Sequence, residues 1–355
     1  MNEQECLSKM YSPQDKRPGK PHGGVIQIWV TRACDKTCFG CTQGSNLGGK
    51  PGMMTPEQFE DACISLKDYW GTVGMFGGNP AIHPEFETLC DIMKKHIPKE
   101  QRGLWCNNPL GHGKKMRETF NPKRSNLNVH LDQTAYNEFK RDWPESRPFG
   151  LHEDSRHSPV FVAMKDILKI DCSDCGGGGS DGRPARNSGS CSGCGGTGQV
   201  YDEEQAWELI SNCDINKHWS AMIGVFRNEL RGWFCEIAGA QSMLHQHEPD
   251  YPDTGTQINF PKDLIASGVN SDWWQQGMDS TYFSKQVRKH CHECSVPLRG
   301  HGELAQSETG KEQVSKTHAE IYKPKKKDRL VQLVEWRDEL EENPNKKVTV
   351  YLGVK

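Results

Sequence analysis

The 355-residue sequence has no run approaching the roughly 20 consecutive apolar residues that span a bilayer. Its opening stretch, MNEQECLSKM, has no basic-then-apolar export pattern. A soluble cytoplasmic protein with no membrane partner is therefore expected. Positive charge is not in excess either. Lys and Arg number 44 against 47 Asp and Glu, and the formal net charge of −3 argues against a globally basic nucleic-acid binder while leaving room for local patches. Cysteine, by contrast, is plentiful at 15 residues, and in a long chain without an export signal it points to metal sites rather than disulfides. A chain of this length buries a sizeable core, so one large domain with an appendage is expected.

The densest cysteine grouping is Cys34, Cys38 and Cys41, a C-x3-C-x2-C pattern directly after the apolar run at 25–30. That run reads as a buried strand, which puts the thiolates on a loop leaving a strand end. Three cysteines so spaced can hold three corners of an iron–sulfur cluster, and with no fourth thiolate nearby one iron stays open, as in a catalytic metal site. The alternative, structural zinc, usually takes four ligands in C-x2-C pairs.

The pattern resembles the signature of the radical S-adenosylmethionine (radical SAM) enzymes. That resemblance implies a 4Fe-4S cluster whose open iron chelates the amino and carboxylate groups of SAM, and reductive cleavage of SAM to a 5′-deoxyadenosyl radical. It also implies a protein reductant such as flavodoxin or ferredoxin. Many members carry an aromatic residue immediately before the third cysteine; here Gly40 holds that place and Phe39 stands one earlier, as a candidate for contact with SAM or substrate.

Beyond this loop, Thr55-Pro56-Glu57-Gln58 fits a helix start with a Thr cap, Pro at the first turn and Gln58 closing a capping box. Cys63 follows on the apolar face and is expected in the core. A second strand at 72–76 runs into Gly77-Gly78-Asn79-Pro80, so strand, helix, strand implies a parallel sheet. Gly77, Gly78 and Asn79 correspond to the family's GGEP motif, which the resemblance places at the methionyl end of SAM; Asn79 keeps a carbonyl acceptor and loses the charge. A helix with Phe86, Leu89, Cys90 and Met93 on one face comes next. Further strands are expected at 104–108, 126–132 and 160–164, with a helix at 134–143. Polar residues at the ends of parallel barrel strands usually face the ligand, which makes Asn107, Asn108 and Asp132 candidates for SAM or substrate, with turn or capping roles as the alternative.

At 171–200 the composition shifts to Gly and Ser. Cys172, Cys175, Cys191 and Cys194 form two copies of C-x2-C-x-G-x-G, the ligand count and spacing of tetrahedral zinc. They resemble the zinc modules of DnaJ-type chaperones and read as an inserted hairpin whose metal replaces a hydrophobic core. The helical stretch at 203–210 then leads to Cys213, and apolar runs at 221–226 and 229–234 form an expected hairpin through Arg227-Asn228, closed by Cys235. Cys291 and Cys294 follow as C-x2-C. This layout resembles the SPASM or twitch extensions of radical SAM enzymes, which implies that Cys213, Cys235, Cys291 and Cys294 hold an auxiliary 4Fe-4S cluster. A second zinc is the rival, with His218, His245, His247, His290 and His292 as possible imidazole ligands.

The tail carries a basic run at 323–329, a helical pattern at 330–340 and a strand pattern at 348–354. The expected organisation is a polar, loose N-terminal arm at 1–22, the barrel core at 23–170, the zinc hairpin at 171–200, the end of the barrel with the auxiliary-cluster region at 201–301, and the basic tail at 302–355. The fold class is α/β, a partial (βα)6 radical SAM barrel as the resemblance implies. The expected activity is radical hydrogen abstraction, of isomerase or oxidoreductase class. Its best substrate is a hypermodified nucleotide, as in phage-encoded enzymes of DNA thymidine hypermodification. A ribosomally made peptide or a sugar stands as the alternative, and a non-enzymatic zinc-rich scaffold as the last one.

Overall fold

The computed structural model describes residues 1–10, 24–38, 41–45, 47, 52–150, 160–176, 191–217, 219–258, 273–275, 281–301, 330–331 and 351–352. Its centre is strand β1 (Val25–Thr31), and the short β2 (Thr37–Cys38) lies in the cysteine loop that follows. Strands β3 (Thr72–Gly77) and β4 (Arg102–Leu104) come next in the chain, and β5 (Lys169–Asp171) and β6 (Gln199–Tyr201) form the base of the inserted hairpin. Strands β7 (Ser220–Phe226), β8 (Glu229–Trp233) and β9 (Thr256–Gln257) complete a six-stranded sheet ordered β4-β3-β1-β7-β8-β9. The run from β4 to β7 is parallel and β7-β8-β9 is antiparallel. Past β4 the parallel arrangement continues as single bridges, Trp105 to Asn126 and Asn128 to Phe149, so the sheet grows into a partial barrel.

Helices cover one face of this sheet because β1 alternates. Ile26, Ile28 and Val30 belong to the core formed with Phe59, Ala62 and Cys63 of the helix Pro56–Ile64, while Gln27, Trp29 and Thr31 point the other way. That helix starts as its sequence specifies: Thr55 accepts from the Gln58 N–H and Gln58 returns the bond to the Thr55 N–H. Phe86, Leu89, Cys90 and Met93 are all buried on the helix Phe86–His96. On the opposite face, the helix Glu236–His245 packs on β7, with Gly239 against Met222 and Met243 against Gly224. The β7-β8 turn places Arg227 and Asn228 at φ 50 and 70, the left-handed pair of a tight two-residue hairpin.

Several expectations are corrected. The N-terminal arm is not loose over its first part: Asn2 caps a helix, Glu3–Lys9, whose Cys6 and Leu7 are buried and whose Glu3 pairs with Arg288. Residues 11–23 lie outside the described residues. Strand β4 begins two residues earlier than its apolar pattern suggested. The stretch 126–132 makes only bridges, because Asp132 turns the chain into the helix Gln133–Asp142. No strand forms at 160–164, since the chain bends there and Met164 opens the short helix Met164–Ile167. In the tail, Leu330–Val331 is extended rather than helical and pairs with both β2 and Tyr351–Leu352. The basic run at 323–329 lies outside the described residues. Among the described residues no helix is long and apolar enough to cross a membrane.

Removing the Thr55 cap should cost about 1 kcal/mol. A Thr55→Ala variant is expected to unfold at lower urea concentration with an unchanged slope, and an unshifted midpoint would show that the capping box contributes nothing.

Candidate metal centres

Three cysteine groups occupy three different settings. In the first, β1 delivers Arg32, Ala33 and Cys34 to the barrel mouth, where the chain is locked to the end of β3. The Gly78 N–H donates to the Thr31 carbonyl at 2.8 Å and the Asn79 N–H to the Ala33 carbonyl at 2.7 Å. Gly77 sits at φ 152, and a Cβ there would stand 2.1 Å from the Thr31 carbonyl oxygen. On Gly78 it would stand 2.4 Å from that of Ala33. Only glycine permits this approach. The two glycines therefore serve the cysteine loop directly.

Cys34 receives N–H bonds from the Lys36 backbone at 3.4 Å and the Asn107 side chain at 3.3 Å. Cys41 receives one from the Ser45 backbone at 3.4 Å. Burial, then the charge of Cys41, push the Cys34 thiol up to about 12. Burial and the charges of Cys41 and Cys34 likewise raise Cys38 well above the usual thiol range. Thiols that oppose one another's ionisation in this way fit a cationic centre, which turns their mutual repulsion into shared attraction.

The remaining mouth residues form one polar net. Buried Lys36, between the first two cysteines, bonds Asp132 at 2.6 Å and lies 3.7 Å from Asp35. Asp132 also accepts from the Ala135 N–H, so it is a helix cap and an ion-pair partner of the loop. His130 sits 3.9 Å from the Cys38 sulfur, and burial, then the Lys36 charge, lower its pKa to about 4, which keeps the ring neutral at pH 7. Asn108 donates to Asp35 at 3.0 Å. Asn79 is fully buried: its amide donates to Asp35 and to the Asn108 carbonyl, and its oxygen accepts from the Ala81 N–H and the Cys106 thiol. Its side-chain amide and oxygen are thus both bonded within the protein. Asn107 Oδ1 is buried without a protein partner, as are Gln27 Oε1 and Trp29 Nε1 on the same side of β1 as Thr31. Of these, Asn107 is at the mouth, where its orphaned oxygen fits a polar ligand, whereas Gln27 stands near the start of β1, bonded to Ser220 at the start of β7. Phe39 lies outside the described residues.

The second group projects from the β5-β6 hairpin. Cys172, Cys175, Cys191 and Cys194 have all their sulfurs within 4.8 Å of one another, the only group of possible metal ligands so close among the described residues. The pairs Cys172–Cys191 and Cys175–Cys194 stand 3.8 and 3.6 Å apart. A tetrahedral zinc with bonds of about 2.3 Å has an edge of about 3.8 Å, so the spacing fits zinc. The Gly198 N–H donates to Cys194 at 3.2 Å; although burial opposes ionisation, this bond and those from Cys175 and Cys191 bring Cys194 down to about 6.

The third group comes from three distant segments. Cys213 follows the helix Glu203–Ser211, Cys235 begins the helix Glu236–His245, and Cys291 and Cys294 bracket the turn after the helix Thr281–His290. All four line one cavity with Met10, Ile210 and Phe234. Burial and mutual charge raise the thiols of Cys235, Cys291 and Cys294. No three of these sulfurs lie within 4.8 Å of one another. Each imidazole named as a rival ligand has its own setting. His290 lines the same cavity as the four cysteines, with its ring nitrogens bonded to Gln241 and Thr254; His245 pairs with Glu248, His292 meets Tyr201, and His247 is exposed; His218 lies outside the described residues.

Sequence reasoning missed Cys6, Asp35, Lys36 and His130. Cys6 is fully buried, and its thiol is raised to about 12 by burial, by Glu3 and also by the nearby Cys213 charge. Lys36 and Asp35 could have been noticed as charges inside the cysteine motif. His130 carried no local signal.

The hairpin stands outside the main core, so Cys191→Ser should lower zinc from about one per chain toward zero while leaving far-ultraviolet circular dichroism unchanged. Zinc retained at full stoichiometry would refute the assignment.

No protein-family model matches the chain, and no curated protein matches it. Among solved structures, it is similar to the "Crystal structure of BtrN in complex with AdoMet and 2-DOIA", with 15% sequence identity, a TM-score of 0.40, and coverage of 79% of this chain and 91% of that one.

Proposed function

We propose that the chain is a radical SAM enzyme in which Cys34, Cys38 and Cys41 hold the reducing 4Fe-4S cluster. The observation that carries the reading is the loop itself: three half-buried thiols at the C-terminal end of a central parallel strand, with Cys34 bonded by the N–H groups of Lys36 and Asn107 and Cys41 by that of Ser45. Such a cluster, when bound, supplies the electron for reductive cleavage of SAM to the radical that takes hydrogen from substrate. The chain's own residues fix the thiolates, and N–H bonds to their sulfurs tune the potential. Orphaned Asn107 Oδ1 is an acceptor for the ligand. Burial of Trp29 and Phe76 in the barrel keeps water from the reacting centre.

In the same reading the quartet Cys213, Cys235, Cys291 and Cys294 holds an auxiliary 4Fe-4S cluster, zinc fills the hairpin, and a flavodoxin or ferredoxin delivers electrons. The substrate is a nucleotide in DNA, of the hypermodified thymidine class. The zinc hairpin and the basic run at 323–329 are what support this choice. A base in a duplex would be flipped out to reach the barrel mouth. Peptide or sugar substrates would suit the same chemistry.

Reconstituted protein given dithionite and SAM should yield 5′-deoxyadenosine by mass spectrometry, and Cys38→Ala should abolish it. No product from iron-loaded wild type, even with candidate substrates supplied, would overturn the reading. DNA affinity that falls steeply with salt is expected of a nucleic-acid substrate, and absence of DNA binding at low salt would favour peptides or sugars.

A further inference from the structure

Resting on the reading of Cys213, Cys235, Cys291 and Cys294 as the ligands of an auxiliary cluster, we infer that Asn216 donates a hydrogen bond to that centre and holds its reduction potential up. The cavity that the four cysteines line carries the argument. Most of its wall is hydrocarbon, with Met10, Ile210 and Phe234 among the side chains. Apart from the thiols, only Asn216 and His290 bring polar side chains to it among the described residues. His290 is satisfied, since its ring nitrogens are bonded to Gln241 at 3.0 Å and to Thr254 at 2.8 Å. Asn216 is different. Its side chain is 4% exposed, and its Oδ1 is buried with no partner.

The local chain explains how Asn216 reaches the cavity. It lies three residues after Cys213, on the short helix Asp214–Lys217, and that spacing brings both side chains to one face of a helical turn. The turn is tied at both ends: the Cys213 N–H donates to the Ile210 carbonyl and the Trp219 N–H to the Asn216 carbonyl, each at 3.1 Å. Trp219 is itself fully buried against Phe283, which anchors the backbone of Asn216 in the core. An amide without a partner in a hydrocarbon wall is costly unless a polar group fills the space before it. A half-turn about the Cβ–Cγ bond exchanges the amide oxygen and nitrogen without changing the side chain's shape, and beside anionic sulfur the nitrogen takes the inner place. An N–H bond to a thiolate or cluster sulfur favours the reduced, more negative state and so raises the potential. Asn107 makes such a bond to Cys34 at the barrel mouth, at 3.3 Å.

The test uses the full chain carrying Cys38→Ala, so that the third group alone holds a cluster, reconstituted anaerobically and titrated with dithionite under electron paramagnetic resonance. Adding Asn216→Leu, which has a similar shape and no donor, should keep about four iron per chain and lower the midpoint by about 59 mV, a tenfold shift in the one-electron equilibrium. Asn216→Ser, which returns a short O–H donor, should recover part of that shift. With asparagine labelled at its side-chain nitrogen, the reduced cluster of the parent should show coupling to that nitrogen, and Asn216→Leu should remove it. An unmoved midpoint in Asn216→Leu, or no nitrogen coupling in the parent, would overturn the inference. So would loss of iron from both Asn216 variants, which would mark a purely structural residue. A Cys38→Ala parent that takes zinc at the third group and shows no titrating cluster would instead sink the auxiliary-cluster reading, and the inference with it.

Discussion

The close backbone docking of Thr31–Ala33 on Gly77–Asn79 is the constraint on which the rest of the molecule depends. Two strand ends meet there with N–H to carbonyl bonds of 2.8 and 2.7 Å, and no side chain could be admitted between them. That contact fixes where the chain leaves β1, hence where Cys34 points and where Asp35 and Lys36 stand. It also brings Asn79 beneath the loop. The same glycines that a sequence motif would assign to a cofactor edge are thus used to build the loop that carries the thiols.

The three cysteine groups differ in what their folds ask of a metal. In the hairpin the four sulfurs are nearly in contact and the backbone around them is glycine-rich, so the ligands themselves set the local structure. At the barrel mouth and in the third group the thiols are held apart by strands and helices with their own cores, and burial makes their ionisation costly. The third group is tied to the hairpin base. Tyr201 of β6 bonds His292, and Lys165 pairs with Glu293 at 3.1 Å, both in the turn bearing Cys291 and Cys294. The helix Glu3–Lys9 closes the other side, with Met10 lining the cavity.

Much of the fold was legible where local chemistry decides. The capping box at Thr55, the apolar face of Phe86–His96, the Arg227-Asn228 turn and the parallel start of the sheet all follow from short-range patterns. The cysteine groupings were legible as spacings, and the distant quartet Cys213, Cys235, Cys291 and Cys294 lines one cavity. What could not be read depends on tertiary neighbours. Val160 to Ala163 are apolar enough for a strand but are buried in a bend, and the Lys36 that pairs with Asp132 stands 96 positions away in the chain. The N-terminal helix looked too polar to pack, yet two of its residues and Met10 suffice to bury one side. Asp35 and His130 take their settings from residues more than 40 and 90 positions away, which no local pattern encodes.

The proposed assignment is zinc in the hairpin, whose sulfur spacing fits it, and iron–sulfur clusters at the other two cysteine groups. Iron, sulfide and zinc counted in one anaerobically reconstituted preparation test it most directly, in wild type and in Cys291→Ala. The account predicts about eight iron and about one zinc per chain, with iron falling to about four and zinc unchanged in the variant. Zinc lost with iron unchanged in Cys291→Ala, or a colourless protein with zinc in all three groups, would contradict it.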